Sequence, residues 1–354
     1  MPKYRQILLS SCLLPICGLS AAETLHCPQI KDDKARLACF DANHAAETTK
    51  HDKTPTVQSI ERGNHNLEST IVADGEPVEV ATVLDKYWEL TEAEKRDRFI
   101  FRTYLPSFFL PVHFTSNINN QPQSPGKDPV LPNDNYRQLE AKLQMSLRTK
   151  LATGVLLPNA DIWFAFTQRS IWQLWNAQDS APFRSTDYQP ELIYIIPLSK
   201  QLGELGDGWR IRMLQLGIAH QSNGQSEPFS RSWNKIYGGL ALDKGEFGLN
   251  WRYHQRISEA QEDDDNPDLI DYIGSHELTA TWLPGLSTAM LIWRNDLSNI
   301  SQGSWQLDMS YPVDTSKLDG LRWHLQLFSG YGETLLDYNI RQHSVGVGVM
   351  LFNF

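Results

Sequence analysis

The chain has 354 residues and a formal net charge of −10, with 42 acidic residues against 32 basic ones. The two signs are mixed along it and no basic stripe stands out, which excludes a nucleic-acid reader. No apolar run reaches the ~18 residues a membrane helix needs, so a helical span is excluded as well.

At the start, Lys3 and Arg5 precede an apolar run from Ile7 to Leu19, and Ser20, Ala21 and Ala22 follow. A charged start, a short apolar core and small residues predict a secretory signal peptide over 1–22. A lipoprotein site at Cys17 is the rival, with Ile16 standing where a small residue is wanted. Cleavage at Ala22 leaves Cys27 and Cys39, and two cysteines in an exported chain are most simply a disulfide. Residues 23–98 are rich in His, Glu, Lys and Thr and predict a loosely ordered periplasmic extension, apart from the cysteine segment.

From Phe99 onward the pattern changes. Strands are expected at 99–116, 136–152, 159–175, 187–199, 207–220 and 232–243, then at 246–257, 274–284, 287–296, 302–312, 320–331 and 342–354. Twelve strands are an even number, as a bacterial barrel that starts and ends on one side requires. Short turns such as "DKGE" at 243–246 and "PG" at 284–285 alternate with long loops at 116–135 and 258–271. The chain closes on "VGVGVMLFNF", an apolar strand with a terminal aromatic residue. Eleven Trp and twelve Tyr fit aromatic girdles. The predicted fold class is therefore all-β: a 12-stranded antiparallel transmembrane barrel over 99–354. Strands this long do not suit a soluble β-sandwich.

The segment "AHQSNGQSEPFSRSWNK" lies between two of these strands. Side chains alternate faces along a strand. Leu214, Leu216, Ile218 and His220 share one face, and Ser222 joins it if the strand continues. On the next strand Asn234 lines up with Ile236, Gly238, Leu240 and Leu242. Three polar side chains on an apolar outer wall are costly unless they are paired or used. A Ser whose proton His220 can take, with Asn234 orienting the imidazole, gives them a use.

"HQSNGQSEPFSRSWN" resembles the active-site segment of the bacterial outer membrane phospholipase A family. "FTQRSIWQLWNAQDSAPFR" at 166–184 and "DDNPDLIDYIG" at 264–274 resemble two further blocks, in the family's order. The resemblance covers about residues 85–354. It implies a calcium-dependent esterase of the outer membrane, a phospholipase A1 and A2 cleaving sn-1 and sn-2 acyl esters of phospholipids and lysophospholipids. It further implies Ser222 as nucleophile, His220 as base and Asn234 as orienting group. The oxyanion would meet the Gly224 N–H, assisted by a water on Ca²⁺. Calcium ligands would be the Gln225 carbonyl and Ser230 hydroxyl of one subunit and the Ser180 carbonyl of the other. Gln225 stands where the family often has Arg, a change a carbonyl ligand tolerates. Asp265 matches an acidic residue of a second calcium site, whereas Asp263 and Asp264 are expected to be solvated. Gln168 matches a residue at the homodimer interface. The extension, including the cysteine pair, has no counterpart in the best-known members of that family.

The alternative is a catalytically silent barrel, porin-like or a binding protein, with an open lumen and no need of calcium. Against it, Gln215, Lys235 and Tyr237 point inward and are bulky enough to fill the interior. A soluble periplasmic hydrolase ranks third.

Overall fold

The computed structural model describes residue 32 and residues 34–38, 81–179, 181–316 and 320–352. The chain divides into two compact units, Met1–Asn64 and His65–Phe354. In the first, the described residues form one helical turn at 34–38, where the Asp32 carboxylate accepts from the Ala35 N–H at 3.0 Å. The expected signal peptide and the Cys27–Cys39 pair lie outside the described residues.

The second unit is a closed antiparallel barrel. Its strands are β1 (Ser107–Thr115), β2 (Leu139–Ala152), β3 (Asp161–Trp172), β4 (Phe183–Pro197), β5 (Trp209–Ser222) and β6 (Ser232–Lys244). They continue with β7 (Phe247–Ile257), β8 (His276–Trp282), β9 (Thr288–Asp296), β10 (Asn299–Pro312), β11 (Gly320–Gly330) and β12 (Gln342–Phe352). Each strand pairs with its sequence neighbours, and β12 closes the ring on β1, so the twelve expected strands are present. Two three-residue strands, Phe101–Thr103 and Glu204–Gly206, flank β2 and β5. The first expected strand is thus split: Phe101–Thr103 pairs with β2 alone, and β1 begins only after Pro106. Proline cannot donate to a ladder, which accounts for the break.

Alternation sets the two faces. Leu214, Leu216, Ile218 and Ile236 are exposed on the outside, while Gln215, Lys235 and Tyr237 are buried inside. The outer wall carries exposed aromatic residues toward both ends, Trp282 and Trp323 on the short-turn side and Trp305 on the other, and Trp282 stacks on Phe247 at 5.8 Å. Buried charges inside must be paired. Arg184 bridges Glu140 at 2.7 Å and Asp337 at 2.8 Å, and Lys142 meets Glu333 at 2.7 Å.

Both ends of the lumen are filled. At the end with the short turns, helix α1 (Val83–Trp88) starts on a capping box between Thr82 and Asp85. It drives Trp88 among Trp163, Ile193, Ile195, Met213 and Ala241. Arg148 lies over the Trp88 ring at 4.4 Å, and Lys150 ties Glu89 at 2.7 Å. Residues 81–98 are therefore an ordered plug, against the expected loose extension. Six residues are too short for a helical period to show in sequence, and burial in the barrel is what stabilises them. At the opposite end, helix α2 (Leu269–Ile273) and the 331–341 loop bury Leu269, Leu335 and Tyr338 against Trp233. A filled lumen contradicts the open pore of the porin-like alternative. The outer connections at this end are mostly long, as expected, but the one joining β9 and β10 spans only residues 297–298.

Candidate active site

β5 runs on to Ser222, two residues past its expected end, so His220 and Ser222 share the outward face. β6 pairs with it in a register that sets His220 opposite Asn234 and Ser222 opposite Ser232. His220 Nδ1 and Asn234 Oδ1 stand 2.9 Å apart on the outer surface. Ser222 Oγ accepts from the Gly224 N–H at 3.0 Å. Gly224 reaches back because its φ is +64°, in the left-handed region that suits glycine.

The loop after Ser222 is braced from within. Asn223 is buried, and its Oδ1 accepts from the N–H groups of Gln225 at 3.2 Å and Arg231 at 3.0 Å. Its Nδ2 donates to the Phe229 carbonyl at 2.8 Å. Asn223 thus shapes the turn that holds Gly224. Sequence reasoning had missed it, although its inward parity beside Ser222 was the available signal.

The expected calcium residues are partly brought together. Ser230 Oγ donates to Asp265 Oδ2 at 2.5 Å, and Ser232 Oγ to the same oxygen at 3.2 Å. Gln225 is half-buried on the same loop. Asp265 is already matched by a cation, however. Lys127, from the loop between β1 and β2, donates to Asp265 Oδ1 at 2.8 Å and to Glu227 at 2.7 Å. Burial pushes the Asp265 carboxyl up, but hydrogen bonds from Lys127 and Ser230 outweigh it and leave its pKa below the ordinary value. Its bonds to Asp265 and Glu227 hold the Lys127 ammonium above its own ordinary value. Lys127 was not singled out in the sequence, because its partners lie a hundred or more residues away. Asp264 differs from the solvated reading: it binds Arg256 at 2.6 Å, while Asp263 is exposed as expected. Ser180 lies outside the described residues.

Gln168 faces outward on β3, in parity with the exposed Phe164. The ladder sets it opposite Tyr188, and Tyr188 opposite Ser222, so one row crosses the wall from Gln168 to Ser222. Beyond His220, toward the short-turn end, the outer wall is indented by an apolar groove of about 570 Å³. Leu192, Leu216, Ile218, Ile236 and Tyr253 line it. A serine, an imidazole, an amide and a backbone N–H that the serine oxygen holds thus stand together beside an apolar groove, the group types that acyl transfer uses.

The chain is similar to known proteins over most of its length. A family model described as phospholipase A1 matches residues 84–351. A putative phospholipase A1 of Neisseria meningitidis is 32% identical over 373 residues, covering 98% of this chain and 95% of that protein. Phospholipase A1 of Escherichia coli is 37% identical over 219 residues, covering 62% of this chain and 71% of that protein. Among solved structures, outer membrane phospholipase A from Escherichia coli superposes with a TM-score of 0.61 at 30% identity, covering 72% of this chain and 94% of that one. The calcium-bound dimer of the Salmonella typhi outer membrane phospholipase gives a TM-score of 0.64 at 29% identity, covering 77% and 98%. The alignment with the Neisseria protein takes in nearly all of this chain, the region ahead of the barrel included. The matched family is one of carboxylic ester hydrolases, and its solved members are outer-membrane barrels. This chain is an outer-membrane β-barrel enzyme that belongs to the phospholipase A1 family.

Proposed function

We propose that this enzyme hydrolyses sn-1 and sn-2 acyl esters of phospholipids and lysophospholipids through Ser222, His220 and Asn234. In this reading calcium assists the reaction and homodimerisation activates it. The observation that carries the proposal is the His220–Asn234 hydrogen bond of 2.9 Å, standing next to Ser222 on the membrane-facing wall. A soluble-substrate enzyme gains nothing from that placement, whereas a lipid reaches it from the outer leaflet with its acyl chain along the groove.

Asn234 Oδ1 accepts from His220 Nδ1–H, which leaves Nε2 free as a base. Ser222 Oγ attacks the ester carbonyl carbon while His220 Nε2 takes its proton. At rest the Gly224 N–H is held by Ser222 Oγ, and attack releases it to the developing oxyanion. Collapse breaks the ester C–O bond, and the alcohol leaves with the proton from His220. Water then adds to the acyl-enzyme with His220 again as base, freeing the fatty acid. A solved variant of the Escherichia coli relative carries a mutation of an active-site asparagine, which supports giving Asn234 a role.

The donors fit calcium. The Gln225 carbonyl and Ser230 hydroxyl that would hold the catalytic calcium, and the Asp265 carboxylate of the second calcium site, are all oxygens, as a hard cation prefers. Among the described residues no cluster of three His, Cys, Asp or Glu is poised for a metal. Calcium here would lean on carbonyls and hydroxyls, with the Ser180 carbonyl of a second subunit completing its shell. Bound there, calcium supplies positive charge beside the oxyanion donor. The calcium-bound dimer of the Salmonella typhi relative supports this, and the row from Gln168 to Ser222 gives a dimer interface direct access to the nucleophile. Residues 1–22 would serve as the export signal.

The test is fatty-acid release from phospholipid by the detergent-purified protein, with calcium and with chelator. Release that needs calcium and vanishes in Ser222→Ala supports the reading. Undiminished release by Ser222→Ala refutes the triad, and full activity in chelator refutes the metal.

A further inference from the structure

An asparagine is an ambiguous partner for a catalytic histidine. A carboxylate can only accept, so it forces the facing imidazole nitrogen to carry the proton. An amide offers an oxygen on one side and an NH₂ on the other. Flipped, Asn234 would donate to His220 Nδ1, and the proton would then sit on Nε2, the nitrogen required as base. Something must hold the amide one way round.

Two residues beyond the end of β7, Glu259 turns back to Asn234. Asn234 Nδ2 donates to Glu259 Oε1 at 2.7 Å. The register already brings the end of β7 there, since Asn234 lies opposite Ile257. The Glu259 side chain is only 17% exposed, and its other oxygen lies 3.6 Å from the Arg256 guanidinium. Arg256 is fixed in turn by Asp264 at 2.6 Å and by the Asn266 carbonyl at 2.6 Å. The carboxylate thus faces the Arg256 cation on one side, at ion-pair distance, and accepts from the Asn234 amide on the other.

We infer that Glu259 is a positioning residue that fixes the Asn234 amide and through it the tautomer of His220. The sequence of constraints is short. Glu259 only accepts, so Asn234 must present its NH₂ to it. The Asn234 oxygen then faces His220, Nδ1 must donate, and the Nε2 lone pair is left for Ser222. Glu259 restores to a neutral triad the one-way character that an aspartate would have had, while its charge stays one residue away from the imidazole. This rests on the triad reading above.

The experiment compares Glu259→Gln in the full-length protein with the same change in an Asn234→Ala background, by calcium-supported fatty-acid release. Glutamine offers either an oxygen or an NH₂, so it frees the amide to flip. The expected result is a kcat lower by about tenfold with KM unchanged in the native background, the size of one charge-assisted hydrogen bond. In the Asn234→Ala background the same change is expected to alter kcat by less than about twofold, because its route to His220 is gone. Imidazole ¹⁵N spectra, with the His220 signals identified by their loss in His220→Gln, should show a single Nδ1–H tautomer in the native protein and a mixture in Glu259→Gln. Glu259→Asp keeps an accept-only group and should hold the single tautomer. Glu259→Ala, which removes the acceptor, should behave as Glu259→Gln does. Equal losses in both backgrounds, or an unchanged tautomer in the two disruptive variants, would overturn the inference. Ser222→Ala separates the two levels. If it stays active, the triad reading fails and Glu259 with it. If it is dead while Glu259→Gln is fully active, only Glu259 is refuted.

Discussion

Replacing Gly224 by alanine tests the proposed oxyanion donor while leaving the Ser222, His220 and Asn234 side chains in place. At Gly224 φ is +64°, and a residue with a Cβ there costs about 1–2 kcal/mol. The added Cβ would stand 3.3 Å from Tyr188 Cε2, a contact that a small shift of the ring relieves. The strain falls on an exposed loop, outside the strand ladders that hold the barrel, so unfolding should change little. Turning the amide is the local way to relieve it, and that takes the N–H away from Ser222 Oγ, now 3.0 Å off. Losing one oxyanion donor costs about 10²–10³ in kcat. The expected outcome is a loss of about a hundredfold in kcat with the heat-modifiable gel shift of the barrel intact. Gly224→Asn should lose less, since asparagine tolerates positive φ. The assay is fatty-acid release from mixed micelles with saturating calcium. A folded Gly224→Ala protein within twofold of native kcat would show that the Gly224 N–H is not the donor.

Lys127→Gln removes the ammonium that competes for Asp265, so calcium should bind roughly tenfold more tightly, the size of one lost charge interaction. Isothermal titration checks this, and unchanged affinity would show that Lys127 and calcium do not compete. The Asp265 carboxyl has a folded pKa below its ordinary value. Its stabilising contribution is therefore complete above about pH 4 and is lost only as pH falls through that lower value. The difference in melting temperature between native protein and Asp265→Asn should accordingly be flat through neutral pH and close on the acid side. Gln168→Leu removes a polar group from the outer wall and should weaken calcium-supported dimerisation by about 1 kcal/mol, read by sedimentation in detergent. Trp88→Ala empties the plug at the short-turn end and should destabilise the barrel by about 3–5 kcal/mol. Since the proposed triad sits at the other end, residual activity below the melting transition should stay near native.

Much of this protein follows from a period of two. Alternation along Leu214–Ile218 and along Ile236–Leu242 was enough to predict an outer wall, an inward Tyr237, and His220 and Asn234 on the membrane side. That pattern is local, because burial of one face acts on each residue in turn. The count of twelve strands was legible for the same reason. What only the tertiary structure decided depends on groups distant in sequence. The register that sets His220 opposite Asn234 is one such case. So are the return of Glu259 to the Asn234 amide and the reach of Lys127 to Asp265. Loop residues carry no period, and nothing in "SEAQEDDDNPD" separates Glu259 from its acidic neighbours. Helix α1 escaped for a related reason, since so short a segment owes its order to the cavity that encloses Trp88. Local chemistry chose which faces meet lipid, and closure of the barrel chose which side chains meet one another.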